Sequence, residues 1–127
     1  MSHFVTVETQ IKDIAALKAA CRELGLGVLV NAEARGYAAN RQHGDFVVTL
    51  KGPYDIAVNW KQDGTFGLTA DQWQGHVAKE VGVNFTKLMK LYSVHKVLIE
   101  AKRKGHTVRR QDLKDGSVKL TVGGMQP

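Results

Sequence analysis

The stretch FVVTLKGPYDIAVNWKQDGTFGLTA, residues 46–70, decides the fold because it contains three apolar segments separated by turn residues. In its middle segment, large apolar residues alternate with smaller or polar ones, which is the period of a β-strand. Gly52 and Pro53 separate the first two segments, and the pair Asp63 and Gly64 is typical of a hairpin turn. Strands joined by short turns pair antiparallel. The stretch therefore predicts three neighbouring antiparallel strands.

The chain before this stretch is predicted to contain a strand, a helix and another strand. HFVTVETQI, residues 3–11, has the period of a strand. Residues 12–24 carry apolar side chains at spacings of three and four, and Asp13 is placed to cap this helix. GVLVNAE, residues 27–33, is typical of a strand, whereas ARGYAANRQHGD, residues 34–45, interrupts the pattern and is predicted to be a long polar loop.

The chain after this stretch is predicted to contain a long helix and two strands. Asn84 is placed to cap a helix that ends at Gly105. The following strands, residues 106–113 and 117–123, flank a turn that contains Asp115 and Gly116. The apolar stripe of the helix, which predicts packing against a core, consists of Leu88, Leu91, Tyr92, His95, Leu98 and Ile99.

These elements predict an α+β fold formed by one domain, residues 1–127. The element order is strand, helix, four strands, helix, two strands. Two amphipathic helices need one apolar sheet face to cover. We therefore expect a two-layer sandwich, in which a mainly antiparallel sheet of about six or seven strands carries both helices on one face.

The positive charge of the chain is concentrated in one segment. The net charge is +6, and residues 77–110 hold nine cations and two anions. Such asymmetry favours an acidic partner, such as an acidic protein face, nucleic acid or an anionic membrane surface. No stretch approaches the roughly 20 apolar residues that span a bilayer. No transmembrane segment is therefore predicted.

Several short motifs resemble one known family. They are MSHF and TQIKD near the start, RGY at residues 35–37, YDIAVNW at 54–60, WQG at 73–75 and HKVLIEAKRKG at 95–105. Together they cover nearly the whole chain and resemble the hypothetical chloroplast reading frame thirty-five family, a domain of unknown function found in plastids, cyanobacteria and some other bacteria. The resemblance implies no catalytic or binding residues. With the lack of a secretory signal, it predicts a location in the bacterial cytoplasm or the plastid stroma.

The sequence contains no strong catalytic or metal-binding motif. Its five histidines lack the spacing that is typical of zinc sites, and there is no phosphate-binding loop, so no cofactor or metal is predicted. Cys21 is the single cysteine and is predicted to be a small buried residue. His95 lies within the apolar stripe, so we predict a buried core histidine that hydrogen-bonds to a neighbouring strand. No catalytic residue is assigned, and whether the protein is an enzyme stays open.

The residues predicted to bind a partner or an anion are clustered around the end of the long helix. Lys102, Arg103 and Lys104 form its last turn, and Arg109 and Arg110 follow on the next strand. Cations in a last turn interact favourably with the helix dipole, but five of them exceed what one helix end requires. Alternation along the strand sends the two arginines to opposite faces, so one of them is expected to join the helix cations.

A second group of candidate contacts lies in the predicted loop, at Arg35, Tyr37 and Arg41. These side chains offer stacking and hydrogen bonds to a partner. The interpretation that we favour is structural: the segment is a solvated extension of the strands, and Arg35 pairs with an acid such as Glu33.

Three functions from different classes agree with this sequence. The first is a small basic interaction module, without enzymatic activity, that docks on an acidic protein partner or assembly. The second is a nucleic-acid-binding protein that contacts phosphates without reading the bases. The third is a small enzyme with His95 or His3 in a pocket. The sequence leaves the partner and the oligomeric state undetermined.

Overall fold

A computed structural model describes residues 3–125 of the chain, so the predicted domain 1–127 extends two residues beyond the described part at each end. The described part is α+β, as predicted. Its strands and helices, in chain order, are β1 Phe4–Glu8, α1 Ile14–Glu23, β2 Gly27–Arg35, β3 Arg41–Thr49, β4 Ile56–Trp60, β5 Phe66–Asp71, α2 His76–Val81, α3 Thr86–Arg103, β6 His106–Asp112 and β7 Val118–Met125.

Five strands form the main sheet, in the order β1-β5-β4-β3-β2, and all neighbours pair antiparallel. Its centre consists of the three strands predicted from residues 46–70. In the register of these strands, Ala57 lies opposite Val47 on one side and Thr69 on the other. The antiparallel prediction is therefore confirmed, and the local alternation of side chains was sufficient to make it.

The last two strands form a separate antiparallel ribbon rather than extending the main sheet. Gly105, with a positive φ of 72°, reverses the chain directly after α3. The ribbon then packs against α3, with more extensive contact through β6 than through β7. The seven strands are therefore divided between two sheets. The sequence did not indicate this division, because alternation identifies a strand but not its partner.

The core lies between one face of the main sheet and helices α1 and α3. Ile56, Val58 and Leu68 on the sheet are fully buried against Leu17 of α1 and Leu88 of α3. Cys21 is buried in this core, as predicted, and burial raises the pKa of its thiol to about 12. The arrangement confirms that both long helices cover one sheet face.

The beginnings of the two long helices are built differently. The side chain of Asp13 accepts hydrogen bonds from the amides of Ala15 and Ala16, so it caps α1 as predicted. The predicted Asn84 cap of α3 is wrong. Asn84 lies in a short 3₁₀ turn with a positive φ of 54°, and α3 begins at Thr86 with no side-chain cap.

The outer half of the β2–β3 hairpin folds over the other face of the main sheet. Ala34 is fully buried there against Val47 and Ala57, which point away from the helices. At the tip of the hairpin, a Cβ atom on Gly36 would collide with the Phe4 ring of the edge strand β1. Residues 34–45 are therefore mainly strand and turn, as in the interpretation that we favoured, rather than a long loop.

Within residues 3–125, no helix has both the length and the apolar character needed to cross a bilayer.

Candidate functional site

The carboxylate of Glu23 joins three elements near the turn of the ribbon. Glu23 is the last residue of α1, and its Oε1 lies 2.7 Å from His95 Nε2 on α3. The guanidinium of Arg110 on β6 donates two hydrogen bonds to the same carboxylate, at 2.8 and 2.9 Å. It donates a third to Asp112, at 2.9 Å. We call these four side chains the Glu23 network, and it holds α1, α3 and β6 together.

The charges in the Glu23 network stabilise one another. The hydrogen bonds from Arg110 lower the pKa of the Glu23 carboxyl to about 2, with a smaller contribution from His95, although burial opposes the shift. The same pairing, strengthened by Asp112, raises the pKa of Arg110. Both groups are therefore charged at neutral pH, and their bidentate pairing fixes the direction of the Arg110 side chain.

His95 is partly buried, with 18% of its side chain exposed, so it does not lie fully within the core as predicted. Its hydrogen-bond partner was predicted wrongly, because the imidazole contacts Glu23 on α1 and not a neighbouring strand. The helices α1 and α3 pack side by side, so the end of α1 reaches the middle of α3 before any strand does. This contact gives His95 a structural partner.

The basic surface formed by Lys102, Arg103 and Lys104 has a different environment. All three side chains are exposed, and none makes an ion pair with a carboxylate of residues 3–125. Lys96, two turns earlier on α3, instead pairs with Asp13 at 3.3 Å and with Glu100 at 2.9 Å. Lys96 is thus ion-paired in the middle of α3, whereas Arg103 and Lys104 attract Glu100 only at longer range, without a close ion pair.

Arg109 and Arg110 lie on opposite faces of the ribbon, as predicted. Arg110 points toward α3 and into the Glu23 network. Arg109 is exposed and lies opposite Thr121 on the outer face. Arg110 is occupied by the carboxylates of Glu23 and Asp112, so the basic surface is centred on Lys102, Arg103 and Lys104. The role of all five residues in binding stays a prediction.

An apolar groove runs along α3 beside β7 and ends at the basic surface. Its larger part has a volume of about 390 Å³ and its smaller part about 150 Å³, and the two parts share Val97. Lys90 lines one end and Lys104 the other. At 1.5 Å per residue, these two positions on α3 are roughly 21 Å apart. We call this feature the α3–β7 groove; its apolar lining is Val94, Val97, Ala101, Val118, Leu120 and Val122.

Arg35 stabilises the fold near the tip of the β2–β3 hairpin, although 43% of its side chain is exposed. Its guanidinium makes two hydrogen bonds to Asp55, at 2.8 and 2.9 Å, and a third to the carbonyl of Gly52. Burial opposes ionisation of Asp55, but the hydrogen bonds keep the pKa of this carboxyl below its usual value. Arg35 pairs with an acid, as predicted, but the acid is Asp55 rather than the suggested Glu33, because the folded-over hairpin brings Asp55 closer.

Tyr37 and Arg41 lie at the tip of the same hairpin. Arg41 donates to the carbonyl oxygen of Asn40 at 2.9 Å, so it closes its own turn. The ring of Tyr37 meets the edge of Trp73, with centroids 5.7 Å apart, and remains partly exposed. Both side chains thus have local contacts, and their predicted role as partner contacts stays a prediction.

A buried aspartate that the sequence analysis missed holds this hairpin tip in place. Asp71, fully buried at the end of β5, accepts hydrogen bonds from the amides of His3, Tyr37 and Trp73 at 2.8–3.0 Å. The His3 ring also stacks on Trp73, with centroids 5.4 Å apart. The available signal was an aspartate at the end of an apolar strand, but two of its three donors, the amides of His3 and Tyr37, come from distant parts of the chain.

The chemistry available elsewhere in the described part is limited. No group of three or more His, Cys, Asp and Glu side chains in residues 3–125 is arranged to hold a metal ion. His43 lies 3.9 Å from Glu33, and His76 packs against the ring of Tyr54. The histidines thus occupy separate environments.

Sequence comparison identifies the family. The family described as "Protein of unknown function (DUF1257)" matches residues 20–121, which include the Glu23 network, the basic surface and most of the α3–β7 groove. The chain belongs to this DUF1257 family. The match covers most of the domain, from the middle of α1 to β7.

Two relatives confirm the resemblance to the hypothetical chloroplast reading frame thirty-five family. "Uncharacterized protein ycf35" of Pyropia yezoensis is 32% identical over 126 residues, which cover 96% of each chain. The protein of the same name from Guillardia theta is 29% identical over 131 aligned positions, which cover all of both chains. No solved structure matches the chain.

Proposed function

We propose that this DUF1257 protein is a small docking module that binds an acidic protein partner or assembly through Lys102, Arg103 and Lys104. The observation that carries the proposal is the contrast within α3 between the paired Lys96 and these three exposed cations. Carboxylates on a partner would supply the close ion pairs that these three cations do not form within residues 3–125.

The helix dipole accounts for part of this charge. A cation in a last turn contributes about 0.3–1 kcal/mol through the dipole at an exposed site. Three consecutive cations repel one another, however, and residues 77–110 carry nine cations against two anions. An acidic surface would relieve this repulsion, and the gain would decrease as salt screens the charges.

The neighbouring apolar groove favours a protein over nucleic acid as the partner. Protein interfaces combine an apolar centre with a polar or charged rim. Contacts with phosphates need cations but no apolar surface. Lys104 lines the groove together with Val97 and Val122, so charge and apolar surface adjoin at this position. We place the interaction in the bacterial cytoplasm or the plastid stroma, in agreement with the family resemblance.

The experiment is an affinity capture from an extract of the native host. The bait is the wild-type protein, the double variant Arg103→Glu/Lys104→Glu, or the control Lys12→Glu/Lys79→Glu, which reverses two exposed cations on other parts of the surface. Captured proteins are identified by mass spectrometry, with and without nuclease, and then purified and tested for direct binding.

The proposal predicts an acidic protein that binds wild type and control but binds the Arg103→Glu/Lys104→Glu variant at least about tenfold more weakly at low salt. Nuclease should not change the capture. If nuclease abolishes the capture, the same cations bind nucleic acid and the proposal is wrong. Equal direct binding by all three baits would show that the basic surface is only a solvated helix end.

A further inference from the structure

The β6–β7 ribbon has an edge that lacks a neighbouring strand in the described part of the chain. Within residues 3–125, β7 pairs with β6 alone. Alternate residues of a paired strand direct their amide and carbonyl groups away from the partner, so β7 offers a row of hydrogen-bonding groups along its outer edge. A two-stranded sheet is marginally stable by itself, and this ribbon depends on α3 for support.

The apolar side chains of β7 face the α3–β7 groove. Val118 and Leu120 line its larger part and Val122 its smaller part, whereas Lys119 and Thr121 alternate with them and are exposed. A strand placed beside β7 would lie about 4.8 Å away and continue the same pleat. Every second side chain of that strand would therefore point into the groove, toward Val97, of which 37% is exposed.

We infer that the α3–β7 groove binds an extended, acidic segment of the protein partner, which adds to β7 as a third strand. This inference rests on the proposed function and deepens it, because it specifies how the partner is bound. Alternate apolar residues of the segment would contact Val97, Val118 and Leu120. Acidic residues at the two ends of this alternate set would also point into the groove and meet Lys90 at one end and Lys104 at the other, whereas the residues between them would face away.

The shape of the groove favours a strand over a helix. An α-helix with side chains is about 10–12 Å wide and would have to displace the ribbon to lie between β7 and α3. A single strand occupies the free edge, satisfies its own backbone groups against β7 and needs only a row of alternate side chains in the groove. The register of Val108, Arg109 and Arg110 with β7 can remain unchanged.

The test is a selection from a displayed library of random short peptides against the wild-type protein, followed by binding measurements with the enriched peptides. The Val97→Glu variant places a carboxylate in the groove at a partly exposed helix position. The matched control is Val83→Glu, at a residue that is 68% exposed in the turn before α3. Hydrogen exchange of the β7 amides is measured with and without bound peptide.

We expect enriched peptides in which alternate apolar residues are flanked by acidic residues. They should bind the Val97→Glu variant at least about tenfold more weakly than wild type or Val83→Glu. Some amides of residues 118–122 should exchange more slowly in the complex. If Val97→Glu weakens peptide binding but the β7 amides of the wild-type complex do not exchange more slowly, strand addition is overturned. No enrichment over bare resin, or equal binding to Val97→Glu, would also overturn the inference.

Failure of this inference and failure of the proposed function are distinguishable. The acidic protein obtained by affinity capture is tested against Val97→Glu and against Arg103→Glu/Lys104→Glu. If only Arg103→Glu/Lys104→Glu binds it more weakly than wild type does, docking uses the basic surface and the groove assignment is wrong. If both variants bind it as tightly as wild type does, the docking function itself is wrong.

Discussion

Arg110 and Arg103 lie on either side of the turn at Gly105, but their surroundings differ. Arg110 is held by two carboxylates, with three hydrogen bonds between 2.8 and 2.9 Å. Arg103 is exposed and makes no ion pair with a carboxylate of residues 3–125. The comparison shows that basic residues close together in the sequence differ in the fold: some are ion-paired and others are exposed. We expect the paired cations to stabilise the fold and the exposed ones to be free for a partner.

The largest effect on stability is expected from Asp55→Ala, which removes the carboxylate that pairs with Arg35. Asp55 accepts four hydrogen bonds, from Arg35 and from the amide of Leu50, and its side chain is 4% exposed. Its removal leaves the buried amide of Leu50 without its acceptor and takes two hydrogen bonds from the Arg35 guanidinium, which keeps its bonds to main-chain carbonyls. We expect a loss of about 3 kcal/mol in the free energy of unfolding, measured by urea denaturation. Glu33→Ala, on an exposed side chain, should change it by less than about 0.5 kcal/mol.

Replacement of neighbouring arginines tests the comparison within one strand. Arg110→Ala breaks the bidentate contact with Glu23, so it should lower the free energy of unfolding by about 2 kcal/mol. Arg109→Ala removes an exposed side chain and should change it by less than about 0.5 kcal/mol. Equal losses in the two variants would contradict the assignment of separate roles.

His95→Ala should have a smaller effect, because Glu23 keeps both hydrogen bonds from Arg110. We expect a loss of about 1 kcal/mol by urea denaturation. Binding of the acidic partner should remain at the wild-type level. If His95→Ala leaves stability unchanged but abolishes a measured activity, the histidine acts in function and its structural assignment is wrong.

A further prediction concerns acid stability. The pKa of Glu23 is lowered from 4.5 to about 2 in the folded protein, so its charge stabilises the fold above about pH 4.5. This contribution should decrease as the pH falls from 4.5 toward 2. The difference in unfolding free energy between wild type and Glu23→Gln should therefore be largest near neutral pH and shrink over this range. A difference that stays constant down to pH 2 would contradict the shift.

The fold was largely predictable because its main signals are local. Alternation and turn residues in 46–70 identified the central strands, and the stripe along α3 identified the face that covers them. The separation of the ribbon was not predictable, because the partner of a strand depends on where the preceding helix packs. The Asn84 cap failed for a different reason: the 3₁₀ turn before α3 places this residue outside the capping position.

The predictions for the candidate site depended on contacts distant in sequence. Alternation placed Arg109 and Arg110 on opposite faces, but the partner of Arg110 lies on α1, 87 residues away along the chain. Arg35 pairs with Asp55 rather than Glu33 because the hairpin folds over the sheet, which no local pattern indicated. Asp71 was missed for the same reason. Local charge density found the basic surface, whereas the fold was needed to separate its paired and exposed members.

The central claim is that Lys102, Arg103 and Lys104 are free for docking while Arg110 is not. The most direct test is the dissociation constant of the purified acidic partner for wild type and Arg103→Glu/Lys104→Glu, measured over a range of salt concentrations. The account predicts that the variant binds at least about tenfold more weakly at low salt, with a difference that narrows as salt rises, while its urea denaturation matches wild type. Equal dissociation constants at low salt would contradict it.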